Sequence, residues 1–154
     1  MKRVGAFGLG AVFIAGIAAF AFARATPAPA GATLLPSDPD VVAFGAAIYA
    51  ENCASCHGAQ LQGQPNWRRV GADGRLPAPP HDETGHTWHH DGDTLFRLTK
   101  YGTGALIGDP NYKTNMPIYD EILTDDEIIA ALSYIKSTWP QTIRQRHDEL
   151  EDRR

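Results

Sequence analysis

Apolar and polar positions alternate in a different manner in each stretch of the chain. Val4 to Ala23 is uncharged and has no polar face, and it is bracketed by Lys2 and Arg3 before and Arg24 after. About 20 apolar residues suffice to cross a bilayer as a helix, whereas a secretory core is about 7 to 15. Length therefore favours a retained anchor, while Ala23-Arg24-Ala25 has the small-x-small form of a cleavage site. Residues 1–25 are accordingly a signal peptide or an N-terminal anchor, and Lys2 and Arg3 direct everything after Ala25 to the far, periplasmic face of the membrane.

Thr26 to Ser37 is rich in Pro, Ala and Gly without periodic apolar positions, and is read as a tether over 26–37. Asp38 then offers an N-cap with Pro39 at the first helical position, and Val41, Gly45, Ile48, Tyr49 and Asn52 recur at helical spacing. From Gly58 to Trp88 neither helical nor strand period is present and Gly and Pro are frequent, which predicts a long loop wrapped around something functional. A short helix is predicted over 93–101, with Leu95 and Leu98 facing inward and Gly102 as its stop. Thr124 and Glu127 form a capping-box pair ahead of Ile128, Leu132, Ile135 and Trp139, a helical series ended by Pro140. The working domain thus spans 38–140, and 141–154 is read as a charged, solvated extension.

Charge narrows the partners. Of the 14 basic residues, Lys2, Arg3 and Arg24 lie in the first 25 positions, leaving 11 against all 18 acidic residues. Such a balance argues against nucleic acid and anionic lipid as partners of the exported part, and suggests a protein with a basic docking face.

The two cysteines carry the chemistry. Cys53-Ala54-Ser55-Cys56-His57 is a C-x-x-C-H sequence, the spacing that attaches haem covalently. Two thiols three residues apart on a helical turn can add to the two vinyl groups of a porphyrin, and the following imidazole lies beneath the iron. A thioredoxin-like pair should follow a strand in a βαβ unit, and no such pattern is present. A zinc site needs two further soft ligands, and no other cysteine exists. Met116-Pro117 supplies a second candidate ligand, because Pro117 holds Met116 out of helical conformation and on a loop. The one other methionine, Met1, is on the opposite side of the targeting segment.

With these motifs in place, the chain from about Asp38 to Pro140 resembles a class I, mitochondrial-type cytochrome c domain. The resemblance rests on Gly45 and Tyr49 ahead of C-x-x-C-H-G, on the loop Met followed by Pro, and on Tyr134-Ile135-Lys136 in the last helix. It implies an all-α fold of crossing first and last helices, with short helices and long loops around one covalently bound haem c. It also implies that Gly45 and Tyr49 meet the last helix near Tyr134. Cys53 and Cys56 would carry the thioethers, His57 would be the proximal and Met116 the distal iron ligand, and a prolyl carbonyl from Pro77, Pro79 or Pro80 would accept a hydrogen bond from His57. The expected function is single-electron transfer between redox proteins, with no substrate bound at iron. A subunit of a membrane oxidoreductase, or a haem peroxidase or gas-binding protein, are the alternatives.

The mitochondrial members present a lysine-rich face, whereas this exported part is acidic, so their partners do not transfer. His81, His86, His89 and His90 crowd one segment around Trp88. They could form a second metal site from His86, His89 and His90, rival Met116 as a distal ligand, or bond propionates and loop carbonyls while Trp88 packs on the haem edge.

Overall fold

The computed structural model describes residues 31–153; the targeting segment 4–23 lies outside the described residues. Those residues are helical and irregular, with no strand among them. Nor does any described helix have the length and apolarity to cross a membrane.

α1 runs from Pro39 to Asn52, and the Asp38 carboxylate accepts from the Asp40 and Val41 amides, as the cap expectation requires. α2 is the single turn Ala54–His57, so the cysteine motif occupies the turn directly after α1. α3 spans Gly92–Ile107 and is capped by Asp91, which accepts from the Thr94 amide. Gly102 interrupts it with φ 82° and ψ 159°, as expected of a stop, but helix resumes through Ile107. A side chain at Gly102 would meet Ile118, and its positive φ is open to glycine at little cost. Leu95 and Phe96 are buried on this helix, while Leu98 is half-buried.

α4 covers Asp125–Thr138. Its capping box is complete: the Glu127 amide donates to Thr124 Oγ1 at 3.3 Å and the Thr124 amide to Glu127 Oε2 at 2.7 Å. Those bonds hold the Glu127 carboxyl below its usual range. α4 crosses α1 over the core formed by Tyr49, Ile128, Leu132 and Ile135. The helices touch backbone to backbone at Gly45, where a Cβ would lie 1.9 Å from the Ala130 carbonyl oxygen. Four residues on, the Tyr49 and Tyr134 rings are 5.5 Å apart. The expected crossing and its small residue are therefore both present.

Two expectations need correction. The tether is not free of the core, because Ala32 and Leu34 are buried and the Leu35 amide donates to Ser133 Oγ on α4 at 2.9 Å. A segment without periodicity can still dock a pair of apolar side chains, and only their three-dimensional neighbours reveal it.

The expected solvated extension is α5, Gln141–Glu151. His147 on this helix is fully buried against Trp139, with ring centroids 5.2 Å apart. Lys136 of α4, itself buried, pairs with Asp148 at 2.6 Å, and Glu151 accepts from the Gly92 amide at the start of α3. Ile143, His147 and Leu150 share a helical stripe, a signal masked by the surrounding charges.

Candidate functional site

The motif residues are placed by the end of α1. The Cys56 and His57 amides donate to the Cys53 carbonyl at 3.2 and 2.9 Å, which closes the turn and places the two sulfurs and the imidazole on one turn of helix. Both thiols are unbridged, Cys53 partly buried and Cys56 exposed. Burial raises the Cys53 thiol to about 11 despite a bond with Tyr119, so it is protonated at neutral pH.

His57 is buried and its Nδ1 lies 2.8 Å from the Pro79 carbonyl oxygen. A carbonyl can only accept, so Nδ1 carries the proton and Nε2 keeps a free lone pair, the tautomer a metal requires. Burial lowers the pKa of His57, partly countered by the Pro79 bond, and keeps the ring neutral. Among the three prolines left open by the resemblance, Pro79 is the acceptor.

Backbone bonds in the long loop bring Pro79 to that place. The Gly63 amide donates to the His57 carbonyl at 2.8 Å, the Gln64 amide to Ala78 at 2.8 Å, and the His81 amide to Leu61 at 2.7 Å. Gly63 has φ 67°, and a Cβ there would sit 2.4 Å from the Pro80 nitrogen, so this close passage needs glycine.

Two tyrosines brace the motif. Tyr49 donates to the Gly58 carbonyl at 2.9 Å and Tyr119 to the Asn52 carbonyl at 2.6 Å, one bond at each end of the turn. Burial, and then Cys53, push Tyr119 up to about 12; the same causes raise Tyr49 further. Tyr119 has no signature in the sequence beyond standing three residues after Met116.

Met116 is half-buried, packs against the hydrophobic core, and has its amide tied to Thr114 Oγ1 at 3.0 Å. The neighbouring Asn115 donates to Asp73 at 3.3 Å, joining the Met116 segment to the long loop.

Within the histidine-rich segment, His86 and His90 meet edge-on with centroids 5.6 Å apart, and the other contacts run to different partners. His81 stacks on His57 with centroids 4.0 Å apart, His86 on Trp67 at 5.3 Å, and His89 on Trp88 at 3.7 Å. No three His, Cys, Asp or Glu side chains among the described residues converge on a possible metal position. Trp88 Nε1 donates to the Glu83 carbonyl at 3.3 Å, which closes this loop on itself.

The donor set fits haem c: two thiols at attachment spacing, an adjacent imidazole with Nε2 available, and a thioether on a separate loop. No curated protein and no solved structure matches the chain. The model of the family described as Cytochrome c matches residues 42–139. That interval takes in most of α1, the motif, the Pro79 contact, Met116 and α4, and the chain belongs to the cytochrome c family, with covalently bound haem c as its cofactor.

Proposed function

We propose that this chain is a monohaem electron carrier of the periplasmic face, working by outer-sphere single-electron transfer between membrane redox complexes. Cys53 and Cys56 form the thioethers, His57 is the proximal ligand and Met116 the distal one. The observation that carries this reading is the Nδ1 bond of buried His57 to Pro79, which readies Nε2 for iron directly after the two thiols. Haem supplies the Fe(III)/Fe(II) couple. The chain's part is to exclude water, hold both axial donors in place and leave Cys56 at the surface.

Met116 gains support from where its rivals lie. His81 rests against the His57 ring and so is on the proximal side, while His86 and His89 stack on tryptophans and His90 lies edge-on to His86. A thioether on the distal side favours ferrous iron and leaves no position open to substrate, which separates this reading from a peroxidase or gas-binding protein. Residues 4–23 tether the domain to the membrane or are cleaved on export. The acidic exported surface calls for a partner with a basic face, as a mobile carrier or as a subunit of a larger oxidoreductase.

Met116→Ala tests the assignment. The variant is expected to lose the red-region sulfur-to-iron absorption of the oxidised protein, to fall in reduction potential and to bind carbon monoxide when reduced. A wild type lacking that absorption, with a potential indifferent to Met116→Ala, would show that another group holds the distal position.

A further inference from the structure

The segment Pro79-Pro80-His81 touches the ring of His57 twice. The Pro79 carbonyl accepts from the Nδ1 edge, and the His81 imidazole lies on the face, with centroids 4.0 Å apart and planes inclined by 23°. With Cγ tied to the backbone through Cβ, one hydrogen bond at Nδ1 restrains rotation about the Cβ–Cγ bond only as far as its broad angular tolerance at the carbonyl allows. A second ring on its face blocks the rotation that remains.

We infer that His81 is a positioning residue for the axial imidazole, setting the plane of the His57 ring by stacking on it. This inference rests on the assignment of His57 as the proximal ligand.

His81 can serve as such a stop because it is itself held from several sides. Its amide donates to the Leu61 carbonyl at 2.7 Å and its carbonyl accepts from Trp139 Nε1 at 2.7 Å. Its Nδ1 meets Oγ1 of Thr87 at 2.9 Å, the buried first residue of a 3-10 turn over Thr87–His89, and the Tyr49 ring stands edge-on at 6.1 Å. The Thr87 hydroxyl also donates to the Pro80 carbonyl at 3.4 Å, so it accepts from His81, whose Nδ1 bears the proton. The two prolines before His81 restrict the backbone further. A leucine here could fill the same volume but could neither stack nor reach Thr87. Groups outside the inner coordination shell commonly orient metal-bound histidines, and stacking on the ring face is the form that role takes here.

The ligand plane is readable in the oxidised full-length haemoprotein, because the hyperfine-shifted proton resonances of the four haem methyls depend on the orientation of the axial imidazole. His81→Leu should change the order or spread of these resonances while covalent haem and the sulfur-to-iron absorption persist. His81→Phe, which keeps the stack and loses the Thr87 tether, should restore the pattern towards wild type, with Thr87→Val giving a smaller change than His81→Leu. A wild-type pattern in His81→Leu overturns the inference, because His81 would then merely fill space. Equal displacement in the Leu and Phe variants also overturns it, since the stack would not be the cause. A wild-type spectrum without an axially bound imidazole overturns the His57 assignment and this inference with it.

Discussion

The α1–α4 crossing and the loop from Gly58 to Asp91 both position the Cys53–His57 turn, by different means. In the crossing, contacts fall at helical intervals, the Gly45 backbone against Ala130 and the Tyr49 ring against Tyr134, and the helices start at side-chain caps. In the loop, the positions that matter are set by backbone pairs such as Gly63 to His57 and His81 to Leu61, with positive φ at Leu61, Gly63 and Asn66. The frame carries its information in residue type. The loop carries it in chain path, and its irregular backbone needs a surface to pack on.

Removing the cofactor should break the comparison most completely. Cys53→Ala with Cys56→Ala is expected to abolish haem staining on a denaturing gel and to leave a poorly folded chain, because a domain of this size depends on the group that completes its core. Hydrogen exchange should show the loop amides of Gln64 and His81 opening before those of α4. Simultaneous opening of both regions would mean that frame and loop form one cooperative unit.

A blow to the frame comes next. Gly45→Leu drives a side chain into the Ala130 carbonyl, and overpacking of this kind costs about 1 to 3 kcal/mol. Because the obstacle is backbone rather than a flexible side chain, the upper end is expected in thermal unfolding of the haemoprotein. A loss below about 0.5 kcal/mol, the range of ordinary surface changes, would show that the helices can part without penalty.

Acid sharpens the contrast between α4 and the helix packed on its end. Burial, followed by Lys136, lowers the pKa of His147, partly countered by Glu151, 3.7 Å away, and by the His90 backbone. The unfolded chain takes up the proton first, so this contribution to stability is complete above about pH 6.5 and declines as pH falls below it. His147→Leu should flatten that part of a stability-against-pH curve, measured on the haemoprotein. An unchanged slope would place the acid sensitivity elsewhere.

The smallest effect is at a cap. Thr124→Ala should cost about 1 kcal/mol and fray the first turn of α4, visible as faster exchange there, with the haem spectrum unchanged. A spectral change would tie the start of α4 to the site more closely than its packing indicates.

The legible parts of the protein were those written in side-chain chemistry. Asp38, Pro39, Thr124 and Glu127 marked helix starts, and the cysteine motif named its cofactor, whereas the close approach at Gly45 came from the family resemblance. Tyr119 was not legible, because its hydroxyl reaches Asn52 across 67 positions of sequence and no local pattern announces that bond. The docking of Ala32 and Leu34 and the helix Gln141–Glu151 were hidden for a related reason. Two apolar residues in a Pro-rich stretch, or three along a charged helix, carry too little signal until the surface they fit is present.

From the chain alone came α1 and α4 with their N-caps, the cofactor, the two thiols, the imidazole and one candidate methionine. Spatial folding decided which of Pro77, Pro79 and Pro80 accepts from His57, and which face of that ring His81 covers. Neighbouring prolines are chemically equivalent as acceptors, and histidines are equally so as donors. What distinguishes them is a few ångströms of backbone path, fixed by hydrogen bonds between peptide groups that every residue shares.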